Sequence, residues 1–184
     1  ILPAGVRHRP ARKRGRQGVI ARLAAAALLA LTPLGAAAES PPVGQQATNF
    51  FPAQADGRAV LDAALAQARA DGKLAVIVFG ADWCHDSRAL ARVLKSDAFR
   101  IRFGARFAVT FIDVGRPQDG KGVNLDLVRR FGVKHLTNTP ALFVISPKGK
   151  RINSKEDAIG WRNAESRRVS AILDWFEAIS AKAG

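Results

Sequence analysis

The sequence predicts an α/β fold, a central mixed sheet flanked by helices, and three observations carry that prediction. Continuous apolar runs fall at 74–79 and 141–145, and a predominantly apolar one at 107–114, broken by Thr110 and Asp113. Runs of that length, rich in β-branched and aromatic residues, are the pattern of strands buried on both faces. Segments with apolar residues at helical spacing alternate with them, which implies layers of helix on sheet. Pro147-Lys148-Gly149 directly follows the last run, a turn that adds an antiparallel return.

The elements follow in order. From Arg58 to Ala70, the residues Val60, Leu61, Ala64, Leu65 and Ala68 recur at helical spacing, and Asp71-Gly72 ends that helix. Leu74–Phe79 is the first strand. A helix is expected from Cys84 to Leu94, with Leu90, Val93 and Leu94 on its inner side. Phe107–Val114 is the second strand. Asn124 is expected to cap a short helix through Arg130, stopped by Gly132. Pro140 opens the third strand, Ala141–Ile145, which turns into a short strand at Lys150–Asn153 and so forms a β-hairpin. Asn163 is expected to cap a C-terminal helix carrying the stripe Val169, Ile172, Leu173, Phe176 and Ile179. Trp161, Trp175 and Phe176 are assigned to the core.

With 48% hydrophobic residues among 184, the chain has material for a sizeable core. Its net charge of +14, from 29 basic against 15 acidic side chains, on its own suggests nucleic acid or an anionic membrane surface. The excess is uneven. Arg7, Arg9, Arg12, Lys13, Arg14, Arg16 and Arg22 all fall within residues 1–38, which hold no acid. Elsewhere Arg100, Arg102, Arg106, Arg129 and Arg130 fit solvated faces. No aromatic residues interleave with them as a base-stacking platform requires, so no nucleic-acid partner is expected.

The first fifth of the chain reads as a signal peptide. A basic run precedes an apolar stretch, Leu23–Leu34, shorter than the ~20 residues of a membrane-spanning helix. Ala36-Ala37-Ala38 then supplies a small-residue cleavage site before Glu39. An uncleaved anchor is the alternative. Residues 1–38 are thus expected to be the signal, 39–57, rich in Pro, Gly and Gln, a linker, and 58–184 the domain. Membrane contact is expected only through the signal segment before cleavage.

The sequence has one cysteine, so no intrachain disulfide forms within it. Cys84 sits where the first strand passes into a helix, within Ala81-Asp82-Trp83-Cys84-His85-Asp86-Ser87. A thiol at a helix N-terminus faces unpaired backbone N–H groups and the positive end of the helix dipole, which favour the thiolate. A protonated His85 pushes the same way, and Asp86 pushes against it. The alternative is a small apolar side chain filling a gap under Trp83. His85, Asp86, Asp82, Asp113 and His135 raise the question of a metal, but adjacent Cys84 and His85 do not match the usual two-to-four-residue ligand spacing. No metal or other cofactor is expected. Asp113 ends a strand and His135 lies in the loop before Pro140, which places both near the site; the alternative, which is favoured, is that they cap helices or stay solvated.

From these residues the chain resembles the thioredoxin superfamily over about 58–182. Ala75 to Cys84 is similar to the strand and turn leading into that family's active site, Thr139-Pro140 to its cis-proline element, and Gly149 to the glycine of its terminal hairpin. The resemblance implies a thioredoxin-like fold. It assigns Cys84 as attacking nucleophile, Trp83 as the aromatic residue shielding it, and Thr139 with Pro140 as the backbone that aligns an extended substrate. The Ala-rich helix ending in Asp-Gly-Lys resembles the branch found in bacterial envelopes, which implies an exported, periplasmic protein.

Two departures from the family pattern matter. Ser87 stands where the second cysteine of the family's motif would be, giving Cys-x-x-Ser. Val78 stands where many members carry a buried acid. Without a second thiol, Cys84 can attack a disulfide but cannot resolve the mixed disulfide internally. The function expected is therefore monothiol exchange or isomerisation with client protein thiols, disulfides or glutathione-like small thiols. Cys84, His85, Ser87 and Trp83 carry the chemistry, and a dithiol cycle is not expected. The alternative is a non-catalytic module that holds peptides or acts like a chaperone in the cell envelope.

Overall fold

A computed structural model of the chain describes residues 49–52 and 56–183. The expected signal at 1–38 and most of the expected linker lie outside the described residues.

Three strands form the main sheet in the order β2-β1-β5: β1 (Leu74–Gly80), β2 (Phe107–Asp113) and β5 (Ala141–Ile145). β1 runs parallel to β2, with Val78 opposite Phe111, and antiparallel to β5, with Val78 opposite Leu142. The sheet is mixed, as expected. Every residue of β1 and β5 is buried, and the two-residue period of a strand sends alternate side chains into two separate cores. Val76, Val78, Leu142 and Val144 face one, with α2 (His85–Leu94), α3 (Asp97–Phe103) and α6 (Val169–Ala183) packed over them. Ala75, Ile77, Phe79, Phe143 and Ile145 face the other, under α1 (Gly57–Ala70), α4 (Leu125–Arg129) and α5 (Lys155–Ile159).

Phe99, Phe103, Phe107 and Phe176 cluster in the first core, with ring centroids 4.9–6.0 Å apart. Edge-to-face pairs at such spacing add about 0.5–1.5 kcal/mol each beyond area burial. Trp161 and Phe176 are fully buried, and Trp175 packs partly buried against them.

Several expectations need correction. α3 was not expected: it is short, and its Ile101 is 78% exposed, so no apolar stripe marks it. Ser96 caps it, accepting from Phe99 N at 3.2 Å. Asn124 stands before α4, yet its side chain caps nothing. Its backbone is left-handed (φ 56°), and Nδ2 donates instead to the Asp113 carbonyl at 2.9 Å. The return of the hairpin is shorter than Lys150–Asn153, with a single bridge between Ile145 and Arg151. Backbone bonds from Ile152 N to Val144 O and from Ser146 N to Lys150 O, both 2.8 Å, flank that bridge, and the buried Asn153 amide extends the pairing, accepting from Val144 N and donating to Leu142 O, both at 2.9 Å. Asn163 does not begin the last helix. A 3₁₀ turn at Ala164–Ser166 follows it, α6 starts at Val169, and the Asn163 side chain accepts from Arg167 Nε.

The largest correction falls in the expected linker. Phe50 and Phe51 are core residues, 6% and 2% exposed, and both pack on Phe111. Asp56 caps α1, accepting from the N–H groups of Arg58 and Ala59.

Candidate functional site

The site forms where β1 stops and α2 begins. Gly80 ends the strand, and a side chain there would not fit: a Cβ would lie 2.6 Å from the Phe51 ring and 2.8 Å from Ser87 Oγ. The loop that follows is pinned from behind. Phe50 N and Phe51 N donate to the Asp82 carboxylate at 3.0 and 3.1 Å, and Arg88 donates to the Asp82 carbonyl at 2.5 Å. The two phenylalanines thereby tie the chain's earlier segment to the turn that presents Cys84.

Cys84 occupies the N-cap of α2, in extended conformation, and its side chain makes no capping bond. It is 7% exposed. The thiol lies against the Thr139 carbonyl, Sγ to O 3.5 Å, and the Thr139-Pro140 peptide is cis, as the resemblance implies. Ser87 stands at the third position of the helix, one turn from Cys84, and is fully buried. Among the described residues its Oγ has no hydrogen-bond partner, and neither has Thr139 Oγ1. Two unpartnered hydroxyls thus lie in the segments that hold the thiol, a condition that costs free energy in a resting protein.

Trp83 is 38% exposed beside Cys84. Its ring nitrogen donates to the Gly115 carbonyl at 2.8 Å, and the Arg116 guanidinium lies 4.8 Å from the ring centroid. Gly115 and Arg116 form β3, paired with β4 (Lys121–Gly122) in a small ribbon beyond β2 that sequence reasoning missed. Gly115 takes a positive φ of 60°, and a Cβ there would meet the Lys121 carbonyl at 2.6 Å.

His85 is exposed, with Nε2 3.4 Å from Asp86 Oδ2 and 3.9 Å from Glu165 Oε2. Asp86 is buried and accepts from Glu165 N at 2.9 Å, joining the start of α2 to the 3₁₀ turn before α6. Among the described residues no three His, Cys, Asp or Glu side chains cluster as a metal site would require. Asp113 sits opposite Gly80 in the sheet. Burial pushes its carboxyl above the ordinary range, and the nearby charge of Asp82 adds to the effect, against hydrogen bonds from Gly115 and Val114. His135 lies in the loop that leads to Thr139-Pro140. With Thr137, Asn138, Ile159 and Asn163 it lines a cavity of about 440 Å³ beside the cis-proline loop.

A thiol at a helix start, an exposed tryptophan before it and a cis proline across from it stand together at the ends of a mixed sheet. The family described as thioredoxin-like matches residues 54–147, more than half of the chain. The chain belongs to the thioredoxin-like family. It is also similar to a solved structure, the crystal structure of disulphide isomerase from Xylella fastidiosa Temecula1. The two chains share 30% identity over 71% of this chain and 97% of that one, with a TM-score of 0.61. No curated protein matches. Thioredoxin-like architecture accounts for the layers of helix on either face of the sheet. Val78, at the place where many members carry a buried acid, is fully buried in an apolar core. No helix among the described residues is long and apolar enough to cross a membrane.

Proposed function

We propose that the protein is an exported, periplasmic monothiol exchange protein that forms mixed disulfides through Cys84. The observation that carries the reading is the placement of that thiol: at the start of α2, 3.5 Å from the Thr139 carbonyl of the cis-proline turn. Similarity to a disulphide isomerase supports the reaction class, and the basic run, short apolar stretch and Ala36-Ala37-Ala38 support export.

The chemistry proceeds by displacement. Deprotonated Cys84 attacks one sulfur of a client disulfide, forming a new S–S bond and expelling the other client sulfur as thiolate, which takes up a proton. The sulfur stands at the N-cap of α2, the positive end of the helix dipole. On losing its proton Cys84 ceases to donate to Thr139, and Ser87, one turn along α2, is assigned the role of donor to the sulfur anion once its hydroxyl turns towards it. His85 stands at the first position of α2 beside Cys84, with Asp86 and Glu165 within 3.4 and 3.9 Å of its Nε2. Thr139 and Pro140 offer backbone to an extended client, and Trp83 walls the thiol from solvent. The sequence has no second cysteine, so the mixed disulfide is cleaved by another client thiol, which isomerises the client, or by a small thiol, which reduces it.

The test is reactivation of a protein with scrambled disulfides by catalytic amounts of this protein in a glutathione buffer. Reactivation above background that disappears in Cys84→Ser supports the reading, and identical rates for the two proteins overturn it. A second reading, peptide binding without turnover, is favoured by the low exposure of Cys84 and by the cavity beside Thr137 and Asn138. It predicts that Cys84→Ser retains full affinity for an unfolded client.

A further inference from the structure

The end of the sheet remote from Cys84 carries a second cleft. α1, the start of β1, the segment after α4 and the turn after β5 enclose a cavity of about 580 Å³. Its floor is apolar, with Ala68, Ala75 and Ile145 each 2% exposed. Arg69, Arg130 and Arg151 stand around it, and among the described residues no acidic one lines it. Ala75 and Gly80 lie five residues apart on β1, about 16 Å of strand, so the cleft is separate from the thiol.

The arginines are held in place chiefly by neutral acceptors. Arg151 Nε donates to the Asn153 carbonyl at 3.0 Å, and its Nη1 donates to the Phe131 carbonyl. Arg69 Nε donates to the Pro147 carbonyl at 3.1 Å. Backbone carbonyls orient a guanidinium without cancelling its charge. Among the described residues, Arg130 alone of the three has a carboxylate partner, Asp62 at 2.8 Å, in a solvent-exposed pair of small worth. Gly132 keeps the wall open: its φ is 88°, and a Cβ there would come within 3.1 Å of Arg151 Nη1.

We propose that this cleft binds a phosphate group carried on a small apolar body. Planar guanidinium groups match phosphate oxygens in bidentate geometry, and the apolar floor takes the body. The inference stands apart from thiol exchange and needs no redox step.

Calorimetric titration with phenyl phosphate tests it, on the wild type and on Arg69→Gln, Arg151→Gln and a control, Arg100→Gln, on α3. The expected result is saturable binding, weakened about tenfold or more by Arg69→Gln and by Arg151→Gln and unchanged by Arg100→Gln. Arg69→Gln decides the matter if loss of the Phe131 and Asn153 contacts unfolds Arg151→Gln. Absence of saturable binding, or equal weakening by the control, overturns the site. Vesicles of phosphatidylglycerol that displace phenyl phosphate assign the phosphate to a lipid headgroup, and vesicles that do not assign it to a soluble ester.

Discussion

Replacing Ser87 by alanine separates stability from reactivity at the site. In the resting protein its Oγ is buried without a partner. Such a hydroxyl gives up its water and gains nothing, a loss of about 1–3 kcal/mol. Alanine removes that loss and leaves a gap of one oxygen atom against Gly80 and Phe51, which costs on the order of 0.5 kcal/mol. The net expectation is a gain of about 1 kcal/mol, or a Tm higher by roughly 3–4 °C for a domain of this size. Reactivity moves the other way. A hydrogen bond to a charged atom contributes about 1.5–3 kcal/mol, and because a better-stabilised thiolate is also less nucleophilic, only about half of that reaches the rate, so attack by Cys84 at neutral pH slows by roughly three- to twentyfold. Differential scanning calorimetry gives the first quantity. Stopped-flow absorbance with a chromogenic aromatic disulfide gives the second. A variant that is less stable than wild type and reacts at the same rate refutes the role assigned to this hydroxyl.

Three other perturbations probe the frame around the site. Phe176→Ala opens the aromatic cluster beneath α6 and is expected to cost about 3–5 kcal/mol, read as a large drop in denaturation midpoint at unchanged m-value. Asp113→Asn is expected to raise Tm near neutral pH. Burial holds this carboxyl above its ordinary value, so the native state binds the proton more tightly than the unfolded chain, and wild-type stability falls as pH rises through that window. The gain therefore shrinks as pH is lowered through the same window, which thermal scans from about pH 3 to about pH 8 check. Glu177→Gln removes the pair that Arg106 and Arg102 make with α6. Hydrogen bonding to Arg106 holds the Glu177 carboxyl low, so its contribution is present above the ordinary carboxylate range and is lost as pH falls through the lowered value. The deficit of the variant at neutral pH is expected to shrink in high salt, read by the same scans.

What could be read from sequence follows from which signals are local. β1 and β5 announce themselves through continuous apolar runs, β2 through a mostly apolar one and the start of α2 through helical spacing, and the Trp83-Cys84 pair with Thr139-Pro140 marks the site. The missed parts depend on distant partners. Phe50 and Phe51 sit in a stretch of Pro, Gly and Gln, and only Phe111 and the Asp82 carboxylate make them core residues. The one available signal was two adjacent phenylalanines where a linker has no use for them. α3 and α5, of seven and five residues, are too short to display a period. Ser154 and Asp157 nonetheless form a capping box at α5 that the sequence displays. The truncated hairpin was hidden because the Asn153 side chain substitutes for ladder hydrogen bonds, a role that no periodicity encodes. The unpartnered state of Ser87 is equally invisible, since it depends on Gly80 and Phe51 closing over it.

The central claim is that Cys84 forms a mixed disulfide that this chain cannot resolve by itself. Intact-mass spectrometry of the native protein mixed with a disulfide-bonded peptide tests it most directly. The account predicts one adduct per chain, at Cys84, that persists until glutathione or another external thiol is added and then disappears. An unmodified native protein that gains the adduct only after denaturation would contradict it.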